Sequence, residues 1–307
     1  MIHEKLTRYL AGLGDLKLEE PMGRHTTFRV GGPADVFFTP RDPSCLGEVR
    51  ALARENDIPF TVIGGGSNLL VGDMGIRGIV ARVCAPGNSA GLVRPENDES
   101  AVLYADARAG KKSFIECALS KGLEGMEFMA GLPGCVGGGI AMNAGTNLGC
   151  FSDILTKVRY IGADGRAVDR EITPEMAKYR NLAVEDGAIF LGGWFRMRRA
   201  ENPEASARLI DEIIRDREFK HPLEYPSAGS VFKNPEGHSS WKLVNDAGLR
   251  GYRIGGAMVS EKHTNFIINA VDASASDIAL LIRHVRETVF EKFGVSLEPE
   301  VKMLGIF

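Results

Sequence analysis

The chain has 307 residues, of which 44% are hydrophobic and 25% charged, enough to bury one large core or two of ordinary domain size. A formal net charge of -3 supplies no basic field for a phosphate backbone, so nucleic acid is not expected as a main partner. The opening MIHEKLTRYL lacks a signal peptide's apolar run, and no later stretch approaches the roughly 20 apolar residues that span a bilayer, so a cytoplasmic chain with no membrane partner is expected.

After a short helical opening, RVGGPADVFFTP reads as a strand entering and leaving a Gly-Gly turn. A helix follows, with Asp42 as its N-cap and Pro43 next. IPFTVIGGGSNLLV is a β-branched strand running into three glycines, GIRGIVARV and AVLYADARAG are further strands, and KKSFIECALSKG restores helical spacing. The glycine-dense stretch 122–150 reads as loop with short helical turns, and long loops of this kind are usually functional. Two more strand segments follow, TKVRYIGADGRAVD with an Asp-Gly hairpin turn inside it and AIFLGGWFRMRR. A polar joint at ENPEAS leads to a charged helix, the segment EYPSAGSVFKNP, a helix at SSWKLVNDAG, strands, and an amphipathic helix near 275–293. Alternating α and β elements, then a smaller C-terminal set, indicate an α+β protein.

The glycines at 64, 65 and 66, with Ser67 and Asn68 after them, offer backbone and side-chain donors to an anionic ligand, with a tight structural turn as the alternative. They are not a dinucleotide fingerprint, because Leu69 stands where G-x-G-x-x-G needs glycine. AGKKS likewise lacks the upstream glycine of a Walker A loop. AGLPGCVGGGIAMNAG, about 70 residues later, is a second such loop, and the pair favours one extended ligand held from both sides. Five cysteines, at 45, 84, 117, 135 and 150, form no CxxC pair, so reduced packing thiols are expected. The histidines have no metal-binding spacing, and no metal is expected.

Ser230, between Gly229 and Val231, could be a nucleophile, a proton donor or a turn residue. It lacks the G-x-S-x-G elbow and a triad order of partners, which leaves proton transfer helped by Lys233 or Lys220 as the chemical reading. Arg180 in KYRNL and Glu300 in SLEPEVKM are charges among apolar neighbours, and each alone reads first as a surface ion or salt-bridge partner and only second as a catalytic group.

HTTFRVGGPAD, IGGGSNLLV, AGLPGCVGG with its following MNAG, YRN, PSAGSVFKNP, RIGGAMVSEKHTNFIIN and LEPEV occur in one order along nearly the whole chain. In that order they resemble the UDP-N-acetylenolpyruvoylglucosamine reductase (MurB) family. The resemblance implies an α+β, two-subdomain FAD-binding fold of the vanillyl-alcohol-oxidase type plus a smaller C-terminal α+β substrate domain. The expected divisions are 1–85, 86–203 and 204–307. It implies bound FAD, NADPH as co-substrate, UDP-N-acetylglucosamine enolpyruvate as the reduced substrate, and a monomer. Hydride from flavin N5 would reach C3 of the enolpyruvyl group, and Ser230 would protonate C2. Arg180 and Glu300 would polarise the substrate carboxylate; a glutamate beside an anion must keep its proton or share a hydrogen bond.

By the same resemblance Gly64, Gly65, Gly66, Ser67, Asn68 and Leu69 would cradle the FAD pyrophosphate. Pro133, Gly134, Val136, Gly137, Gly138, Ala141 and Asn143 would pack along the rest of the cofactor. Tyr179, Arg217, Asn234 and Lys302 match positions near substrate. The chain has no long insertion after Tyr179 and so resembles the shorter subtype, without a Tyr-bearing loop. Met258, Cys135 and HSSWKLVND depart from the usual pattern, where Gln, Thr or Ser, and an aromatic-Ala-Gly-Lys-Leu run are common.

Overall fold

The computed structural model describes residues 4–84 and 91–307. The expected division at 85/86 therefore lies outside the described residues. The chain folds as two compact units, one of Met1–Lys17, Phe37–Gly65 and Gly78–Asp216, the other of Leu18–Val36, Gly66–Arg77 and Arg217–Phe307.

The first unit is organised on a sheet with strand order Ala167–Glu171, Leu155–Ile161, Ile189–Arg199, Ser100–Asp106, Leu92–Pro95, with Leu123–Glu124 pairing further along Ile189–Arg199. Ser100–Asp106 alternates buried and half-buried residues, the period-two pattern of a strand with one face on a core. The Asp164–Gly165 turn expected from sequence joins Leu155–Ile161 to Ala167–Glu171, with Gly162 N–H donating to Arg166 O at 2.9 Å. The core beneath the sheet centres on Phe114, Phe151 and Phe195, whose rings meet edge to face at centroid distances of 4.9 and 5.9 Å. Asp42 caps the entry to its helical segment, its carboxylate accepting from Ser44 N. Phe60–Ile63 pairs in parallel with residues 79–82, which aims its C-terminal end into the glycine run. The helix Pro203–Lys220 buries Ile210 in this core with Ile213 and Ile214 packed against it, so the first unit continues to Asp216, past the polar joint at 201–206.

The second unit has an antiparallel sheet of order Ser227–Ser230, Phe266–Asn269, Ala257–Val259, Arg253–Ile254. The helix Ala275–Phe293 covers it with Ile278, Leu281, Ile282, Val285 and Val289, one face at spacings of three and four. A capping box between Ser274 and Asp277 starts this helix, and Gly294 at φ +67° ends it. Burying each aliphatic side chain of that stripe contributes about 1.5–3 kcal/mol, and Leu281→Ala would cost about 2–5 kcal/mol. Asp73 supports the same helix start, accepting from Ala275 N at 2.8 Å and Ser276 N at 2.9 Å.

RVGGPADVFFTP is a strand only from Pro33. Residues 29–32 are held otherwise, because Arg29 takes φ +58° and Gly32 N–H donates to Gly72 O at 3.0 Å. That bond comes from a segment distant in sequence and outweighs the local strand preference.

Candidate active site

The turn after Ile63 carries Gly64, Gly65 and Gly66. A side chain at Gly65 would place its Cβ 2.9 Å from the Gly134 Cα, and one at Gly64 would sit 3.1 Å from Cys135 Sγ. The two glycine-rich loops of the sequence thus touch backbone to backbone, a seam that only glycine allows. Gly66 takes φ +69°, and a Cβ there would overlap the His25 carbonyl. Its own carbonyl accepts from Thr27 N at 3.2 Å. Among the described residues no hydrogen bond takes up the N–H groups of Gly64, Gly66 or Ser67.

The second loop is anchored from behind. Val136 N and Gly137 N donate to Ala109 O and Ala107 O at 2.8 and 2.9 Å. Lys111, buried at 7% exposure, donates its Nζ to Pro133 O at 3.0 Å and its backbone N–H to Gly134 O at 3.1 Å. Gly138 and Ala141 lie on the short helix Val136–Ala141 that follows. Asn143 turns the loop at φ +37°, accepting from Ser152 N at 2.9 Å and donating to Lys178 O at 3.2 Å. Lys178 opens a two-residue hairpin turn whose tip is Tyr179 and Arg180. Arg180, at φ +57°, donates to Gly145 O at 3.1 Å and lies 4.9 Å from the Tyr179 ring centroid. The structure therefore brings Tyr179, Arg180 and the Pro133–Asn143 loop together.

In the second unit the chain is distorted around the serine. Ser227–Ser230 pairs with Phe266–Asn269 with a register shift between Ser227 and Ser230, where Gly229 takes φ +77°. Past Ser230 the strand is gripped by Asn265, whose backbone O accepts from Val231 N at 2.8 Å. The Asn265 side-chain amide also accepts from Phe232 N at 2.9 Å and donates to Phe232 O at 2.8 Å. On the other side Glu300 N–H donates to Val231 O at 2.7 Å. Ser230 and Glu300 thus flank one anchored residue, Val231. Ser230 is half-buried, and its hydroxyl makes no hydrogen bond among the described residues.

Within the second unit Asn68 bonds to this segment, its side chain donating to Glu300 O at 3.0 Å and its carbonyl accepting from Lys302 N at 3.0 Å. Leu69 then begins a strand parallel to Lys302–Leu304. Lys233, one of the two lysines that the sequence offers as neighbours for Ser230, pairs with Glu298 at 2.5 Å. Asn234 accepts from Ser240 N at 3.0 Å, which puts its side chain at the start of the helix Ser240–Asp246. Arg217 has its Nε buried without a partner, and that burial holds its pKa below the ordinary value. Of the departures, Met258 is buried in the sheet, and Ser240 is buried with its hydroxyl donating to Lys233 O.

A family model for the UDP-N-acetylenolpyruvoylglucosamine reductase C-terminal domain matches residues 221–304, and one for an FAD binding domain matches residues 34–170. A protein of Agathobacter rectalis named UDP-N-acetylenolpyruvoylglucosamine reductase is 43% identical over 317 residues, covering 99% of this chain and 98% of the relative. One from Lachnoclostridium phytofermentans is 40% identical over 93% of this chain and 92% of its own length. The chain belongs to the UDP-N-acetylenolpyruvoylglucosamine reductase family. The solved MurB structure from Thermus caldophilus agrees, with a TM-score of 0.75 at 30% identity over 95% of this chain and 98% of that one.

Family membership makes the chain an oxidoreductase with an FAD-binding domain, and the fold class is the α+β arrangement expected from its motifs. The residues at the glycine seam fit such a cofactor. Within the second unit the N–H groups of Gly66 and Ser67, which make no hydrogen bond among the described residues, suit phosphate oxygens. Beside them Thr27, bonded to Gly66 through its backbone, has a buried hydroxyl oxygen with no partner, whereas the Thr26 hydroxyl donates to Val30 O at 2.8 Å. A buried hydroxyl left unpaired costs about 1–3 kcal/mol, which an anionic ligand would offset. Thr27, Lys111 and Asn265 escaped the sequence reading. All three lie inside stretches that carry other motifs, and Lys111 and Asn265 act on partners 22 and 33 residues away, with no local signal.

Proposed function

We propose that this reductase converts UDP-N-acetylglucosamine enolpyruvate to UDP-N-acetylmuramate in peptidoglycan precursor synthesis, with NADPH as the source of electrons. Bound FAD would supply the hydride that reaches C3 of the enolpyruvyl group. The chain's own residues do the rest. Ser230 donates its hydroxyl proton to C2, for which a hydroxyl without an internal acceptor is suited. Arg180 offers its forked guanidinium to the substrate carboxylate, and Glu300 meets the charge that develops there as the C2–C3 double bond is reduced. Gly64–Leu69 and the Pro133–Asn143 loop hold the cofactor, while Tyr179, Arg217, Asn234 and Lys302 bind the nucleotide sugar. We assign residues 204–307 mainly to substrate binding.

The observation that carries this reading is the anchoring around Ser230. Asn265 and Glu300 fix the neighbouring Val231 and Phe232 through four hydrogen bonds, yet leave the serine hydroxyl uncommitted. A serine needed only for the turn would be expected to spend its hydroxyl locally. The direct test is anaerobic. Protein loaded with FAD and reduced by NADPH should be reoxidised by the enolpyruvyl nucleotide sugar with one muramate formed per flavin. A colourless protein that takes up no FAD, or reduced flavin indifferent to that substrate, would sink the proposal.

A further inference from the structure

Cys84 and Cys135 lie against the same two glycines of the seam. An ideal Cβ on Gly65 would be 3.6 Å from Cys84 Sγ, and one on Gly64 would be 3.1 Å from Cys135 Sγ. Both thiols are free and buried, at 8% and 2% exposure. Buried cysteines in apolar surroundings are inert, but this pair is not in such surroundings. The Cys135 thiol is held below its ordinary pKa, first by a hydrogen bond with Cys84, then by the N–H groups of Gly138 and Gly65 and the charge of Lys111. Cys84 shifts the opposite way, chiefly through its bond with Cys135 and through burial, with Arg82 as its charged neighbour. The two thiols thus lie within hydrogen-bond reach of each other, with Cys135 the more acidic of the pair, as an attacking and a resolving thiol must.

We propose that Cys84 and Cys135 form a reversible disulfide when hydrogen peroxide oxidises them, and that this bond lowers the affinity of the glycine seam for FAD. The second half rests on the proposed function. The Cys135 thiolate attacks one peroxide oxygen, the O–O bond breaks, and the released hydroxide takes up a proton to leave as water, giving a sulfenic acid at Cys135. Cys84 sulfur then attacks the Cys135 sulfur, the S–S bond forms, the S–O bond breaks, and a second water leaves with the Cys84 proton. Two thiols and one peroxide become one disulfide and two waters. The bond would link the chain just beyond the strand Ile76–Arg82 to the residue after Gly134. A seam already at backbone contact has no slack to absorb the movement.

The test treats the full chain, with and without FAD, with hydrogen peroxide, then blocks free thiols and digests it for mass spectrometry. The expected result is a linked peptide containing Cys84 and Cys135, abolished by dithiothreitol, and an apparent FAD dissociation constant raised about 5- to 150-fold in the oxidised chain. Because the coupling is reciprocal, bound FAD should lower the share of linked peptide reached at equilibrium in a thiol–disulfide redox buffer. Cys84→Ser should retain FAD under the same treatment. Absence of the linked peptide overturns the disulfide, and equal flavin loss from wild type and Cys84→Ser overturns the coupling. An untreated chain that binds no FAD overturns the functional reading and the coupling together, while the linked peptide still decides the disulfide.

Discussion

The glycine seam and the Ser230 strand solve the same problem, holding a backbone in one place, by opposite means. At the seam, precision comes from removing side chains, so that Gly65 and Gly134 pack backbone on backbone and N–H groups remain for a ligand. At Ser230 it comes from adding side-chain bonds, with Asn265 pairing both polar groups of Phe232. A seam of the first kind tolerates almost no added atom. A scaffold of the second kind tolerates no lost one.

The sharpest separation of the two regions should come from Ser230→Ala. Substrate-dependent reoxidation of the reduced flavin is expected to slow by about 10²- to 10⁴-fold, with reduction by NADPH unchanged, both read by stopped-flow absorbance. Equal slowing of both half-reactions would make the serine structural. Gly65→Val attacks the other side. Forcing a side chain against Gly134 should cost about 1–3 kcal/mol and raise the FAD dissociation constant about 5- to 150-fold, measured by flavin fluorescence, while urea unfolding of the second unit is little altered. Asn265→Ala strands the N–H and C=O of Phe232, at about 1–3 kcal/mol for each unsatisfied group, and should lower the urea midpoint and kcat while leaving FAD affinity unchanged. A variant that lost FAD instead would erase the contrast.

The smallest effect is expected from pH. Burial pushes the Asp73 carboxyl up, but its hydrogen bonds with Ser276 and the Ala275 and Ser276 N–H groups outweigh this, and its pKa lies below the ordinary aspartate value of 3.8. A depressed carboxylate stabilises the fold above its unfolded pKa, and that contribution disappears as pH falls below 3.8 through the folded value. Wild type should therefore lose more stability than Asp73→Asn on acidification across that window. The difference should stay below about 1 kcal/mol, because the group is largely solvent-screened. Chemical denaturation at pH 5 and pH 3 checks the sign.

Local rules made much of the fold readable. The spacing of Ile278, Leu281, Ile282, Val285 and Val289 declares the helix Ala275–Phe293, and Asp164–Gly165 declares its hairpin. Residues 29–32 defeated the same rules because their backbone bonds go to residues 22, 23 and 72. At the candidate site, both glycine loops and a serine held between glycine and proline residues were visible in the sequence, with the role of its hydroxyl left open. The grip of Asn265, the hold of Lys111 on Pro133 and the engagement of Lys233 with Glu298 were not, since each joins residues between 22 and 65 positions apart.

Asn68 and Glu300 are joined across 232 residues, and Leu69–Val71 pairs with Lys302–Leu304. For a chain emerging from the ribosome, this imposes an order of events. The strand that follows the first glycine turn is made well before its partner, which lies on the far side of that 232-residue separation. During that interval Leu70, fully buried in the finished core, must wait without its neighbours, a delay of the kind that invites chaperone capture.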